Sequence, residues 1–366
     1  MRDDEAFMRL ALEAGEKGVG FTSPNPAVGA VIVRRGKVLA VGHHAKAGSD
    51  HAEVAALRQL DFDARGATLY STLEPCNHVG RTGPCTEAIL RAGIARVVVG
   101  ATDPNPLVRG RGIRRLSRAG LDVRVGVLGA EAERLNEPFN HAIVKKAPFV
   151  VLKAATSLDG CTATRSGESQ WITSEAARRR GRELRGALDA VVVGVNTVLA
   201  DDPALTTRLR GRHDPLRVVL DSQLRTPLGA QLVRTARKTP TLIATTKKAP
   251  AARRTRLERA GVQVLVLPSD KKGRVDPHAV LGALHARELT GVLLEGGSTV
   301  HGSFLDAGLV HKVVWFMAPL LIGGEGARAS LGGLGPSTLR GAHHLDIRSV
   351  EPVGPDLMIE AQVVRR

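Results

Sequence analysis

Apolar and polar positions along this chain repeat with two different periods, and the changes of period mark its elements. Phe7, Leu10, Ala11 and Ala14 recur at helical spacing and predict an amphipathic helix near the start. Residues 27–33 and 38–43 are apolar runs around Arg35-Gly36, a hairpin signature. A helix over 52–60, a strand over 68–72, a helix over 86–92 and a strand over 96–100 follow. A helix over 113–119 and a strand over 123–127 close the first unit. This alternation predicts a mixed sheet with helices on both sides. Residues 131–147 read as one helical stretch that loses its pattern at Lys145-Lys146-Ala147-Pro148, where the domain boundary is placed.

Beyond the boundary, residues 149–155, 190–195, 217–220, 241–244, 262–267, 291–294 and 312–317 are continuous apolar runs. Runs of that kind predict strands of a sheet covered on both faces. The chain shows no internal repeat and no low-complexity stretch. Polar loop residues gather at strand ends: Ala200-Asp201-Asp202-Pro203, Asp221-Ser222 and Glu295-Gly296-Gly297-Ser298. In open α/β sheets, ligands bind beyond the carboxyl ends of the strands. At Glu295-Gly296-Gly297-Ser298 two glycines admit a ligand to the backbone, and Ser298 is expected to cap a helix whose N-terminus suits a phosphate. The plain alternative is a tight strand-to-helix turn without a ligand. The segment is not G-x-G-x-x-G, which argues against a Rossmann dinucleotide domain.

A length of 366 residues predicts two domains of ordinary size. Hydrophobic residues at 43% and charged ones at 24% are ordinary for a globular protein, but aromatics at 3% leave Val, Leu, Ile and Ala to build the cores. No apolar run reaches the ~18 residues of a spanning helix. The charged start Met1-Arg2-Asp3-Asp4-Glu5 lacks a secretory h-region, so the expectation is a cytoplasmic protein with no membrane partner. A net charge of +16 raises a nucleic-acid reading. The basic residues are spread along the chain, however, with local density at Arg178-Arg179-Arg180, 237–256 and Lys271-Lys272, and no aromatics interleave to stack bases. A basic surface suited to phosphorylated small molecules explains the charge as well, and no nucleic-acid partner is expected.

The chemistry concentrates at His51-Ala52-Glu53, Pro75-Cys76 and Cys85. One imidazole and two thiolates are a three-ligand zinc set, which leaves a fourth tetrahedral position for a water. Zinc lowers the pKa of such a water toward neutrality. Glu53, two positions after His51, is placed to shuttle protons without binding the metal, as the glutamate of zinc deaminases does. The bland reading of Cys76 and Cys85 is a pair of buried structural thiols. There are three cysteines in all, too few for a disulfide framework, and Cys161 reads as a structural thiol at a strand end. Eight residues separate Cys76 from Cys85, against two in the commonest deaminase signature. Gly80, Gly83 and Pro84 let that loop double back. Cys85 and His51 then stand at helix starts, where negative charge is favoured. His78 is a weaker candidate, since a fourth protein ligand would close the site.

These residues resemble the bifunctional deaminase–reductase family of riboflavin biosynthesis over nearly the whole chain. The first half matches at Thr22-Ser23-Pro24-Asn25-Pro26-Ala27-Val28-Gly29, Gly42-His43-His44, Gly48, His51-Ala52-Glu53, Leu73-Glu74-Pro75-Cys76-Asn77-His78, Gly80-Arg81-Thr82-Gly83-Pro84-Cys85 and Asp103-Pro104-Asn105-Pro106. The long cysteine spacing is that family's own pattern. The second half matches at Lys153-Ala154-Ala155-Thr156-Ser157-Leu158-Asp159-Gly160, Ser169-Gln170-Trp171-Ile172-Thr173 and Gly194-Val195-Asn196-Thr197-Val198. It also matches at Asp201-Asp202-Pro203, Leu205-Thr206-Thr207-Arg208 and Glu295-Gly296-Gly297.

The resemblance implies an α/β protein: a cytidine-deaminase-like α/β/α domain over 1–147 and a dihydrofolate-reductase-like α/β domain over 148–366. It implies zinc-dependent deamination of 2,5-diamino-6-ribosylamino-4(3H)-pyrimidinone 5′-phosphate, then NADPH-dependent reduction of the ribosyl group to ribityl. The implied zinc ligands are His51, Cys76 and Cys85, with Glu53 as proton shuttle. Asn25 and His44 match pyrimidine contacts, and Arg81 a phosphate contact. In the second domain Ser169, Arg185, Leu205, Arg208 and Glu295 match substrate positions; the two guanidiniums suit a phosphate. Ala155, Trp171, Thr197, Asp201, Ser222, Gly297, Ser298, Thr299, Val300, His301, Gly302 and Ser303 match cofactor positions. Lys153 and Asp201 flank the expected site of hydride delivery, with Lys153 polarising or protonating the opening sugar. Outside those motifs, Trp171 would read as core, Arg185 as a solvated helix residue, Asn25 as a turn residue and His44 as a surface histidine. The partners implied are a phosphorylated pyrimidine and further copies of the chain, as a homo-oligomer. Three rivals stay open: a nucleic-acid deaminase, which leaves the second half unexplained; an enzyme with one decayed domain; and a non-enzymatic zinc module, which has no need of Glu53.

Overall fold

The turn at Arg35-Gly36 shows how local chemistry starts the first sheet. Both residues have positive φ, 51° and 75°, as a tight two-residue hairpin requires. They join β1 (Gly29–Arg34) to β2 (Lys37–His43) as antiparallel neighbours. In the computed structural model, which describes residues 2–78, 83–106 and 108–364, the chain divides into two compact units, 1–147 and 148–366.

The first unit opens with α1 (Arg2–Glu16) and, after the hairpin, runs through α2 (Ala52–Arg58), β3 (Thr68–Leu73), α3 (Cys85–Arg91), β4 (Arg96–Ala101), α4 (Arg111–Arg118) and β5 (Asp122–Val125). Among the described residues its sheet has the order β2-β1-β3-β4-β5, antiparallel at β2-β1-β3 and parallel at β3-β4-β5. Alternate side chains of β1 feed opposite faces. Ile32 packs with Leu57 of α2, Ile89 of α3 and Leu116 of α4, while Val31 packs with Met8 and Ala11 of α1. The result is the expected α/β/α layering. The stretch 131–147 corrects the single-helix expectation, because it holds two helices, α5 (Gly129–Leu135) and α6 (Glu137–Lys145). The break falls at Asn136, whose φ of −121° departs from the helix. Its buried amide instead exchanges two 2.8 Å hydrogen bonds with the backbone of Ala27. Pro138, lacking an N–H, then suits the first turn of the new helix.

The second unit contains β6 (Phe149–Ser157), β7 (Cys161–Ala163), α7 (Glu175–Ala187), β8 (Ala190–Gly194), α8 (Val195–Asp201), β9 (Leu216–Leu220) and α9 (Gln231–Arg234). It continues with β10 (Thr241–Thr245), α10 (Ala251–Arg259), β11 (Gln263–Val266), α11 (Pro277–His285), β12 (Gly291–Gly296), α12 (Ser298–Asp306) and β13 (Lys312–Ala318). It ends with β14 (Arg328–Ala329), β15 (His344–Val353) and β16 (Asp356–Val364). The described strands form a nine-stranded sheet, β11-β10-β9-β8-β12-β6-β13-β16-β15, while β7 pairs with β14. From β11 to β13 every neighbouring pair is parallel. Successive residues such as Val150 and Val151, or Val192 and Val193, enter opposite cores, so these strands read as unbroken apolar runs.

The antiparallel hairpin β15–β16 had no such signature. Leu345, Ile347 and Val350 stand exposed on β15 between polar neighbours, and pairing with β16 defines that strand. No helix among the described residues is long and apolar enough to cross a membrane.

Candidate active sites

In the first unit, the N-terminus of α2 and the segment leaving β3 bring the metal-ligand candidates together. His51 is the residue before α2, in extended conformation, and Cys85 is the first residue of α3. Cys76 follows the end of β3. The ligand atoms of His51, Cys76 and Cys85 lie within 4.8 Å of one another. His51 Nδ1 is 3.2 Å from Cys85 Sγ and 3.5 Å from Cys76 Sγ. Zinc–sulfur bonds of about 2.3 Å and zinc–nitrogen bonds of about 2.0 Å at tetrahedral angles place N and S about 3.5 Å apart. The donor set therefore fits zinc in both chemistry and spacing. His78 is not a member of the cluster.

The surroundings favour a thiolate at Cys76. The backbone N–H of Cys85, at the start of α3, donates to Cys76 Sγ at 3.4 Å. The hydrogen bond from the Cys85 thiol holds Cys76 well below the usual thiol range and pushes Cys85 up in return. Glu53 is 3% exposed, and burial, with the Cys76 charge, pushes its carboxyl up to about 7, against the pull of His51. His44 is buried, which lowers its pKa against the pull of its hydrogen bond to Asp50; its Nδ1–H donates to the Asp50 carbonyl at 2.9 Å. Its Nε2 lies 3.4 Å from the Asn25 amide nitrogen. Asn25 and His44 thus pair with each other, and the reading of His44 as a surface histidine fails. Arg81 lies outside the described residues.

In the second unit the carboxyl ends of the parallel strands open into a cavity of about 1150 Å³. Lys153 and Ala155 come from β6, Arg185 from α7, Thr197 and Asp201 from α8, and Glu295 from β12; all line it. Loop residues Ser169, Trp171, Leu205, Arg208 and Ser222 complete the same wall, with Gly297, Ser298, Thr299, Val300, His301 and Ser303 at the start of α12.

Gly302 is the exception. A Cβ there would lie 2.0 Å from the Gly332 carbonyl oxygen, so Gly302 lets α12 pack on a loop and does not line the cavity. Ser298 also departs from expectation. It is the first residue of α12, Gly297 holds the cap position, and no side chain caps the helix.

The polar groups of the cavity interlock. Arg185 donates to both oxygens of half-buried Glu295, at 2.6 and 2.7 Å, and to the Thr206 carbonyl at 2.9 Å. Arg185 is therefore committed to protein acceptors and is not a solvated helix residue. Arg208 is exposed on the same cavity. Burial, together with Arg185, lowers the Lys153 pKa against the opposing pull of Glu295. Ser169 Oγ donates to Asp201 at 3.3 Å. Trp171 is 65% exposed, with the Arg178 guanidinium 4.5 Å above its ring, so it is a rim residue and not core. Arg225, Lys272 and Arg274, which no motif marks, also line the cavity beside Ser222; the one signal for them in the sequence is the charge at Lys271-Lys272.

Comparison with known proteins agrees with both geometries. Residues 1–101 match the family described as the cytidine and deoxycytidylate deaminase zinc-binding region, and residues 148–359 match the RibD C-terminal domain. Fold and sites together define a two-unit enzyme, a zinc deaminase followed by a reductase. The riboflavin biosynthesis protein RibD of Actinobacillus pleuropneumoniae is 44% identical over 361 residues, 99% of this chain and 96% of that protein. The solved structure of Acinetobacter baumannii RibD superposes with a TM-score of 0.86 at 37% identity, covering 100% of this chain and 99% of that one. A diaminohydroxyphosphoribosylaminopyrimidine deaminase/5-amino-6-(5-phosphoribosylamino)uracil reductase from Thermotoga maritima gives a TM-score of 0.87 at 35% identity, with 99% of each chain covered. The chain belongs to the RibD family of bifunctional riboflavin-biosynthesis deaminase–reductases. Its cofactors are zinc in the deaminase domain and NADPH in the reductase domain.

Proposed function

We propose that residues 1–147 remove the ring amine of 2,5-diamino-6-ribosylamino-4(3H)-pyrimidinone 5′-phosphate, and that residues 148–366 reduce the ribosyl group of the product to ribityl. The observation that carries this reading is the His51, Cys76 and Cys85 donor set beside the buried carboxyl of Glu53.

His51, Cys76 and Cys85 would hold zinc, which when bound supplies a Lewis acid that makes water nucleophilic near neutral pH. Glu53 takes a proton from that water and delivers it to the ring amine. The carbon–nitrogen bond breaks, ammonia leaves and a ring carbonyl remains. A carboxyl whose proton affinity lies near neutral can both accept and return that proton. Asn25 and His44 address the pyrimidine edge, and Arg81 the phosphate.

In the reductase, NADPH, when bound, would supply the hydride that reduces the anomeric carbon. Lys153 donates a proton to the ribose ring oxygen as its bond to that carbon breaks, which balances the reduction. A lysine whose pKa is lowered by burial gives up its proton more readily. Glu295, held by Arg185, faces Lys153 electrostatically, and Arg208 is left to meet the phosphate. Ser169 and Leu205 complete the substrate side. Ala155, Trp171, Thr197, Asp201, Ser222 and the start of α12 receive the cofactor. The reading places the enzyme in the cytoplasm, where ribose phosphates and NADPH are held, as a homo-oligomer in keeping with its family resemblance.

The test is to incubate the purified protein with the diaminopyrimidine ribosyl phosphate, with and without NADPH, and to follow ammonia and NADPH. Ammonia release without NADPH, then oxidation once NADPH is added, supports both reactions in this order. Ammonia without oxidation removes the reductase claim. Neither signal from zinc-containing protein overturns the reading.

A further inference from the structure

Glu74 takes no part in the chemistry above, yet it is 4% exposed and carries four hydrogen bonds. Its Oε2 accepts from the backbone N–H of Gly110 at 2.8 Å and of Asp103 at 3.3 Å. Its Oε1 accepts from Gly112 at 3.0 Å and Ile113 at 3.2 Å. These donors belong to the loop after β4 and the first turn of α4. A helix start needs acceptors for its free N–H groups. The cap residue of α4 is Gly110, left-handed at φ 71°, and it offers no side chain. Glu74 supplies the missing acceptors from another element.

The approach is close as well as polar. A Cβ on Gly112 would lie 1.9 Å from the Pro75 carbonyl oxygen, so α4 begins directly against the peptide that leads into Cys76. On its other side Cys76 is held by α3. Its sulfur accepts from the N–H of Cys85 at 3.4 Å and its carbonyl from that of Thr86 at 3.2 Å. The segment carrying the ligand is thus fixed between two helix starts.

We propose that Glu74 is a positioning residue for the metal centre. By tying α4 to the end of β3, its carboxylate fixes Cys76 where it meets His51 and Cys85. The inference rests on the zinc reading of those three residues. The role calls for a carboxylate, because an ionised one is acceptor only and its two oxygens serve four donors. A glutamine of the same size would turn its NH₂ toward two backbone N–H groups and leave them buried without partners.

The test uses the full-length, zinc-loaded protein and follows zinc release to a chromogenic chelator for wild type, Glu74→Gln and Glu74→Asp. Glu74→Gln should release zinc about 10–100-fold faster, the usual effect of losing an outer partner of a metal ligand. The visible spectrum of its cobalt-substituted form should change, and reductase turnover should not. Glu74→Asp keeps both oxygens on a shorter arm and should fall between. Wild-type release and an unchanged cobalt spectrum in Glu74→Gln overturn the proposal, even if that variant melts earlier. If Glu74→Gln is insoluble, Gly112→Ala presses on the same contact from α4: faster release supports the proposal and an unchanged rate overturns it. Wild-type protein that takes up no zinc overturns the zinc reading and this one together. Wild type that binds zinc beside an unchanged Glu74→Gln overturns this one alone.

Discussion

At Glu53 the protein puts a carboxyl out of water, and burial raises its proton affinity to about neutrality. Glu53→Gln keeps the shape and removes the titrating proton. Ammonia release should fall by about 10²–10⁴-fold, with zinc content and NADPH oxidation on already deaminated substrate unchanged. A variant that keeps more than a small fraction of wild-type deamination would show that the proton travels another way. Lys153→Met makes the matching case in the second unit. NADPH oxidation should be lost while ammonia release continues, and full reductase turnover would remove Lys153 from the mechanism. His51, Glu53, Cys76 and Cys85 were legible in the sequence because metal chemistry admits few residue types at few spacings. Trp171 and Arg185 were not legible from their own residue types, since their surroundings come from elsewhere in the chain. Arg185 is neutralised by Glu295, and Trp171 is exposed because it stands on a cavity rim.

Helix α1 shows how one charge can dock an element. Asp4 accepts from Arg96 at 2.9 and 3.0 Å, from Tyr70 at 2.8 Å and from Arg124 at 2.7 Å, which ties the helix to β3, β4 and β5. The Arg96 hydrogen bond, aided by Tyr70 and Arg124 and opposed by burial, lowers its carboxyl to about 2. A pKa below its ordinary value stabilises the fold fully above about pH 4, and that stabilisation is lost as pH falls toward 2. Asp4→Asn should therefore cost about 1–2 kcal/mol at neutral pH, allowing for partial screening of the arginines, and cost progressively less below pH 4. Urea unfolding followed at Tyr70, the chain's one tyrosine, reads this unit directly. An equal deficit at both ends of that pH range would refute the linkage. The parallel strands were legible as elements because both faces are buried. The hairpin β15–β16 was not, because its outer strand takes its conformation from pairing. The split between α5 and α6 was missed because Asn136 leaves the helix to bond with Ala27, more than a hundred residues earlier.

Across the whole molecule, each site is assembled within its own unit: metal donors from 51–85, and cavity walls from 153–330. Stripping zinc with a chelator should abolish ammonia release and leave the reduction of already deaminated substrate at its normal rate. Loss of both would show that the reductase depends on the metal. The strand order of the second sheet has a consequence for synthesis. β6 is the first strand of its unit to be made, yet Phe149 pairs with Gly291 and Val151 with Lys312. The first sheet needs nothing beyond β5. On the ribosome the deaminase half can close and capture its metal while β6, apolar along most of its length, still waits for both neighbours. The exposure of that strand to wrong partners is therefore timed by translation of the segment between them, and slow codons there would prolong that interval.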